Sequence, residues 1–234
     1  MEVNQYNLHA KTYPAITAMI IPFFISYSYV MDMDIELWST WNSIEKIIGV
    51  FIPSALVFSA LGYSVRELFR STSKKCFQNI LYCEDETKMP TTEFLLWKTQ
   101  YISHEEKVRV RNKILSDENY QMMTAEQEAA DETEARLNIV GAVKIMRQRT
   151  LGHELLTQYN YQYGYWRNLL GGLVWNVIFI VLLLILNYYK THLDFLILIF
   201  SLLSIILLGV ISVLILKNNA KAYARHLFPI YLTL

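Results

Sequence analysis

The sequence reads as an all-α membrane protein with four transmembrane helices in two pairs and a mainly helical cytoplasmic insert between helices 2 and 3. Three observations carry that reading. Four apolar stretches occur, Tyr13 to Val30, Ile44 to Tyr63, Leu169 to Tyr189 and Leu193 to Leu216. Each is long enough to cross a hydrocarbon core of about 30 Å as a helix of about 20 residues. The stretches pair tightly, with a long and mostly polar segment between the pairs. Residues 1–63 form the first pair, 64–168 the insert, 169–216 the second pair and 217–234 a tail.

The first stretch has no basic segment before it and no small-residue cleavage site after it, so it is expected to stay as a span. Pro22 in its middle, and Gly49 and Pro53 in the second stretch, mark kinks that neighbouring helices can tolerate. Acidic Asp32, Asp34 and Glu36 follow span one, whereas Arg66, Arg70, Lys74 and Lys75 follow span two and Lys217, Lys221 and Arg225 follow span four. Lysine and arginine stay on the cytoplasmic side, which puts both termini and the insert in the cytosol. Trp38 and Trp41 then sit at headgroup level in an outer loop.

After span two the helical pattern runs on without a breaker. Val65, Leu68, Phe69, Thr72 and Cys76 share one face, and Arg66, Arg70 and Lys74 follow one another at i+4 on another. This predicts a stalk whose basic row meets anionic lipid headgroups or a phosphate-bearing ligand. Ser103 with Glu106, and Thr124 with Gln127, have capping-box spacing and predict helix starts. The helix after Thr124 carries an apolar face of Ala135, Ile139, Ala142, Val143 and Met146. Its acidic start and basic end suit the helix dipole.

Span three opens with Gly171 and Gly172, and span four carries Ser201, Ser204, Gly209 and Ser212 within one stripe at 100° per residue. Two readings of that stripe stand: close helix packing through small residues, or hydroxyls lining a pore. The absence of charge deep in any apolar stretch speaks against a proton relay or voltage sensor. Cys76 and Cys83 share a helical face and read as small hydrophobes in a reducing compartment. The five histidines are too scattered for a metal site, and no cofactor motif is present. Lacking a Gly-rich phosphate loop, G-x-S-x-G or H-E-x-x-H, the sequence gives no catalytic residues and reads as a non-enzyme.

The junction into span three, Tyr159 to Gly172, is dense in tyrosine and includes Trp166 and Arg167. Such residues form either an interfacial belt with a snorkelling cation or a stacking platform for single-stranded nucleic acid. The Pro90-Thr91-Thr92 segment, followed by Tyr163-Gly164-Tyr165-Trp166-Arg167-Asn168-Leu169, resembles small four-span membrane effectors of bacterial anti-phage defence operons, such as that of the Hailong system. The chain departs from that pattern at Glu93, where the family tends to have a basic residue. The resemblance implies a homo-oligomeric ion channel, a tetramer among the options, held shut by a single-stranded DNA oligomer that a partner nucleotidyltransferase makes. On that reading Arg66, Arg70, Lys74, Tyr163 and Arg167 are the ligand-binding candidates, and Ser201, Ser204 and Ser212 line the pore. The alternatives are a non-conducting membrane receptor or scaffold for a cytosolic partner and, less favoured, an integral membrane enzyme.

Overall fold

A computed structural model describes residues 5–32, 61–83, 86–189 and 195–234. Most of span two (residues 44–60), the acidic outer link with Trp38 and Trp41, the Glu84–Asp85 turn and the link at 190–194 lie outside the described residues. Among the described residues every regular element is helical. A π-helical turn at Asn7–Thr12 leads into α1, Tyr13–Asp32, which runs through Pro22. Helix α2 occupies residues 61–82, with π-helical geometry at Lys74–Gln78. It ends at Cys83, whose φ of 61° is left-handed. Then come α3 (Pro90–Leu95), α4 (His104–Glu118), α5 (Ala125–Ala130), α6 (Glu132–Arg149), α7 (Glu154–Tyr189) and α8 (Phe195–Thr233).

Two helices are long and apolar enough to cross a membrane among the described residues, within Glu154–Ile185 and Phe195–Thr233. Both extend beyond the predicted spans: the tyrosine-rich junction lies inside α7, and the tail continues α8 without a break. Helix α1 covers the first predicted span.

The chain divides into two compact units, Met1–Lys74 with Arg167–Ser212, and Lys75–Trp166 with Val213–Leu234. In the first, small residues allow close helix approach. A Cβ on Gly171 would stand 2.0 Å from the Phe69 carbonyl oxygen, and one on Gly172 would stand 2.5 Å from the Ala18 Cβ. Two asparagines tie α7 to the N-terminal helix: Asn168 Nδ2 donates to Ala10 O and Asn176 Nδ2 to Ala18 O, both at 2.6 Å. Both bonds span 158 positions, so the two segments run in the same direction. Asn168 and Asn176 are buried, and these partners remove the cost of leaving their amides without hydrogen bonds in an apolar setting. The indole of Trp175 donates to Thr72 Oγ1 at 2.9 Å, adding a tie to α2.

The second unit has a conventional core of Phe94, Leu95, Val110, Ile114, Ile139, Val143 and Met146, completed by Ala224, Leu227, Phe228 and Tyr231 of α8. Each fully buried large apolar side chain contributes about 1.5–3 kcal/mol, so the C-terminal residues are a structural part of this unit. The predicted face of Ala135, Ile139, Ala142, Val143 and Met146 is buried throughout. Ser103 accepts from Glu106 N, and the Thr124–Gln127 capping box is complete in both arms. The helix expected after Thr124 is two helices, because Asp131 adopts extended geometry (φ −142°, ψ 91°) and caps α6 through Glu134 N. Pro90 is at the first turn of α3, where its missing N–H costs nothing.

Among the described residues of this second unit, the charged side chains of Lys107, Arg111 and Glu128 are buried. Lys107 Nζ donates to the carbonyls of Leu96 and Thr99, each at 2.5 Å, and so fixes the loop before α4. Arg111 donates to Leu95 O and Met123 O, lies 4.2 Å over the Trp97 ring and pairs with Glu128 at 3.9 Å. Burial lowers the pKa of Arg111 to about 10 against the opposing pull of Glu128.

Candidate functional site

The stalk helix α2 points Phe69 and Ser73 inward, which turns Arg66, Glu67 and Arg70 to the partly exposed side. Lys11, from the π-helical turn, reaches the same place. Its Nζ lies 3.6 Å from Glu67 Oε1, Arg66 Nε lies 3.8 Å from that oxygen, and Arg70 Nη1 donates to Glu67 Oε2 at 3.2 Å. Three cations share one carboxylate, which leaves two formal positive charges. Burial works to raise the Glu67 pKa, but the Arg70 hydrogen bond and the charges of Lys11, Arg70 and Arg66 outweigh it and hold the carboxyl below its ordinary value.

The cluster is open enough to take a ligand: the Lys11, Arg66 and Arg70 side chains are 14%, 21% and 35% exposed. The Nε atoms of Arg66 and Arg70 are buried and make no hydrogen bond among the described residues. Guanidinium groups suit phosphate, which offers several acceptor oxygens in a matching geometry. The cluster's net positive charge suits an anion.

Arg167 lies in the same unit and is buried, with Nε 3.4 Å from Asn168 Oδ1. Asn168 also accepts from Ser73 Oγ at 3.1 Å, so the junction arginine and the stalk serine converge on one amide. Lys74, exposed, is the last residue of the first unit before the second begins at Lys75. Tyr163 belongs to the second unit, half-buried against a cluster of Tyr82, Met89 and Ala220. The structure thus gathers Arg66 and Arg70 and puts Arg167 in the same unit, while Tyr163 serves the other unit's core.

In α8, Ser204 is exposed, Ser201 half-buried and Ser212 buried. Ser212 Oγ donates back to Leu208 O at 2.7 Å, and its helix buries Leu198 and Ile205 on the same side. Glu93, where the chain departs from the resemblance, pairs with Arg136 at 2.7 Å and has a structural partner inside the second unit. Cys76 and Cys83 are free thiols.

Sequence reasoning overlooked Lys11 and Glu67 as members of the cluster. Nothing in a linear reading brings Lys11 to a helix more than fifty positions away. The i+3 spacing of Glu67 and Arg70 was the available signal. Comparison with protein-family models, with curated proteins and with solved structures finds no match for this chain.

Proposed function

We propose that this chain is a four-span inner-membrane effector of bacterial anti-phage defence, forming a homo-oligomeric ion channel gated by an oligonucleotide bound on its cytoplasmic side. The observation that carries the ligand half of this reading is the cluster of Lys11, Arg66 and Arg70 around Glu67, a net-positive and partly open site in the same unit as the apolar ends of α7 and α8. The common direction of α1 and α7 supports the topology, because spans one and three of a four-span chain cross the membrane the same way. With both termini cytosolic, the cluster is at the cytoplasmic membrane surface, where a soluble anion reaches it. One chain of four packed helices has no wide lumen, so conduction requires several copies around an axis.

Binding of a short single-stranded DNA oligomer to the detergent-solubilised chain, followed across salt concentrations, tests the site. Each neutralised phosphate contributes about −0.7 to the slope of log affinity against log salt. Arg66→Gln with Arg70→Gln should flatten that slope by about 1.4. A slope equal to wild type would remove the cluster from the ligand site.

The burial of Ser212 and the return of its hydroxyl to its own helix favour a second reading of the serine stripe, helix packing in a non-conducting receptor. Ser204, exposed on the same helix, separates the two: Ser204→Leu changes unitary conductance in a channel and leaves a packed receptor unaffected.

A further inference from the structure

Helix α8 changes chemistry along a single face. At 100° per residue, Leu203, Leu207, Val210 and Leu214 fall within one narrow sector, and all four are exposed, by 56%, 63%, 55% and 57%. Lys217, Lys221 and Arg225 continue that sector at spacings of three and four, and each is exposed. Among the described residues none of these three cations has an ion-pair partner. The flank of the same stretch, Leu216, Ala220, Ala224 and Leu227, is centred about 100° round the helix from the row and is buried in the second unit. That packing fixes the rotation of the helix and leaves the basic row on its uncovered side.

A face that is apolar up to Leu214 and cationic from Lys217 matches the transition from hydrocarbon to phosphate in a bilayer. The rise of 1.5 Å per residue puts Lys217 about 4.5 Å and Lys221 about 10 Å beyond Leu214. Half the difference between the hydrocarbon thickness and the full bilayer is about 5–8 Å, so Lys217 lies within the headgroup layer and Lys221 reaches it along its flexible stem. Arg225, about 16 Å beyond Leu214, stands outside the headgroups but close enough to feel an anionic surface.

We infer that the Lys217, Lys221 and Arg225 row binds the headgroups of anionic phospholipid, fixing the depth of α8 in the membrane. Charge complementarity selects the anionic lipid, and continuity with the exposed apolar row selects a bilayer over a soluble polyanion. This inference rests on the membrane reading of α8.

The test uses the full chain, solubilised in detergent and exchanged into mixed micelles containing either phosphatidylglycerol or phosphatidylcholine, with retained lipid counted by native mass spectrometry. Wild type should retain phosphatidylglycerol in preference. Lys217→Gln with Lys221→Gln should lower that preference about 30-fold, since each cation near the surface contributes about 1 kcal/mol. Lys144→Gln, an exposed lysine on α6, should change nothing. Equal retention of the two lipids by wild type, or an unchanged preference in the double variant, overturns the inference, as does displacement of phosphatidylglycerol from the row by a short oligonucleotide at physiological salt. A chain that stays in solution without detergent would overturn the membrane reading itself, which separates the two failures.

Discussion

Gly171→Ala offers a demanding check on how closely α2 and α7 approach. The added Cβ would lie 2.0 Å from the Phe69 carbonyl oxygen and 2.9 Å from its carbon, where ordinary contact begins at 3.4 Å. The obstacle is helix backbone, so no rotamer change relieves it, and the helices must separate by about 1.4 Å or tilt. Such overpacking costs about 1–3 kcal/mol. A backbone obstacle puts the cost at the upper end of that range, and the higher helix propensity of alanine returns about 1 kcal/mol at most, so a net loss of about 2 kcal/mol is expected. Gly209→Ala is the internal control, because a Cβ there meets only Leu173 Cδ1 at 4.0 Å. It should leave stability unchanged or raise it. Thermal unfolding of the two variants in the same detergent, followed by tryptophan fluorescence and near-UV circular dichroism, measures both effects. Equal midpoints for Gly171→Ala and wild type, or an equal loss at Gly209, would refute the close crossing at Phe69.

Glu128→Gln leaves the buried Arg111 guanidinium without its counter-charge, and removing one partner of a buried ion pair costs about 3–5 kcal/mol. Denaturant unfolding of this variant against wild type checks it, and a loss below 1 kcal/mol would mean that the carbonyls of Leu95 and Met123 alone satisfy Arg111. Acid should destabilise the chain in a defined window. The Glu132 carboxyl is held below its ordinary 4.5 by hydrogen bonds from Lys98 and Arg136, and Glu67 lies below the same value. A depressed carboxyl pKa contributes stability that is complete above 4.5 and is lost as pH falls through the lower folded-state values. Melting temperatures should therefore fall below pH 4.5, with a shallower fall in Glu132→Gln; identical acid limbs would show that Glu132 is not linked to folding.

Local signals were legible in the sequence and long-range placements were not. Capping at Ser103 and Thr124 and the apolar face of α6 depend on neighbours within one or two turns, and the structure has them as read. The division between α5 and α6 was hidden because Asp131 looks like one more acid in a first turn until its backbone leaves the helical region. Helix α8 continues past Leu216 because the residues after it, though dotted with lysine, keep Ala220, Ala224, Leu227 and Phe228 on one buried face. Hydropathy averaged along the chain sees the lysines and stops; helical periodicity sees the face and continues. For the candidate site, the i+4 row supplied Arg66 and Arg70, while Lys11 needed the fold to bring it to Glu67. Tyr163 was grouped with Arg167 by adjacency in sequence, yet each lies in a different unit.

Ion flux across liposomes carrying the purified chain tests the channel reading most directly. The assembled protein should conduct, with flux suppressed by a short single-stranded DNA oligomer and insensitive to that oligomer when Arg66 and Arg70 are both glutamine. Correctly inserted and oligomeric protein that conducts nothing, with or without the oligomer, would contradict it.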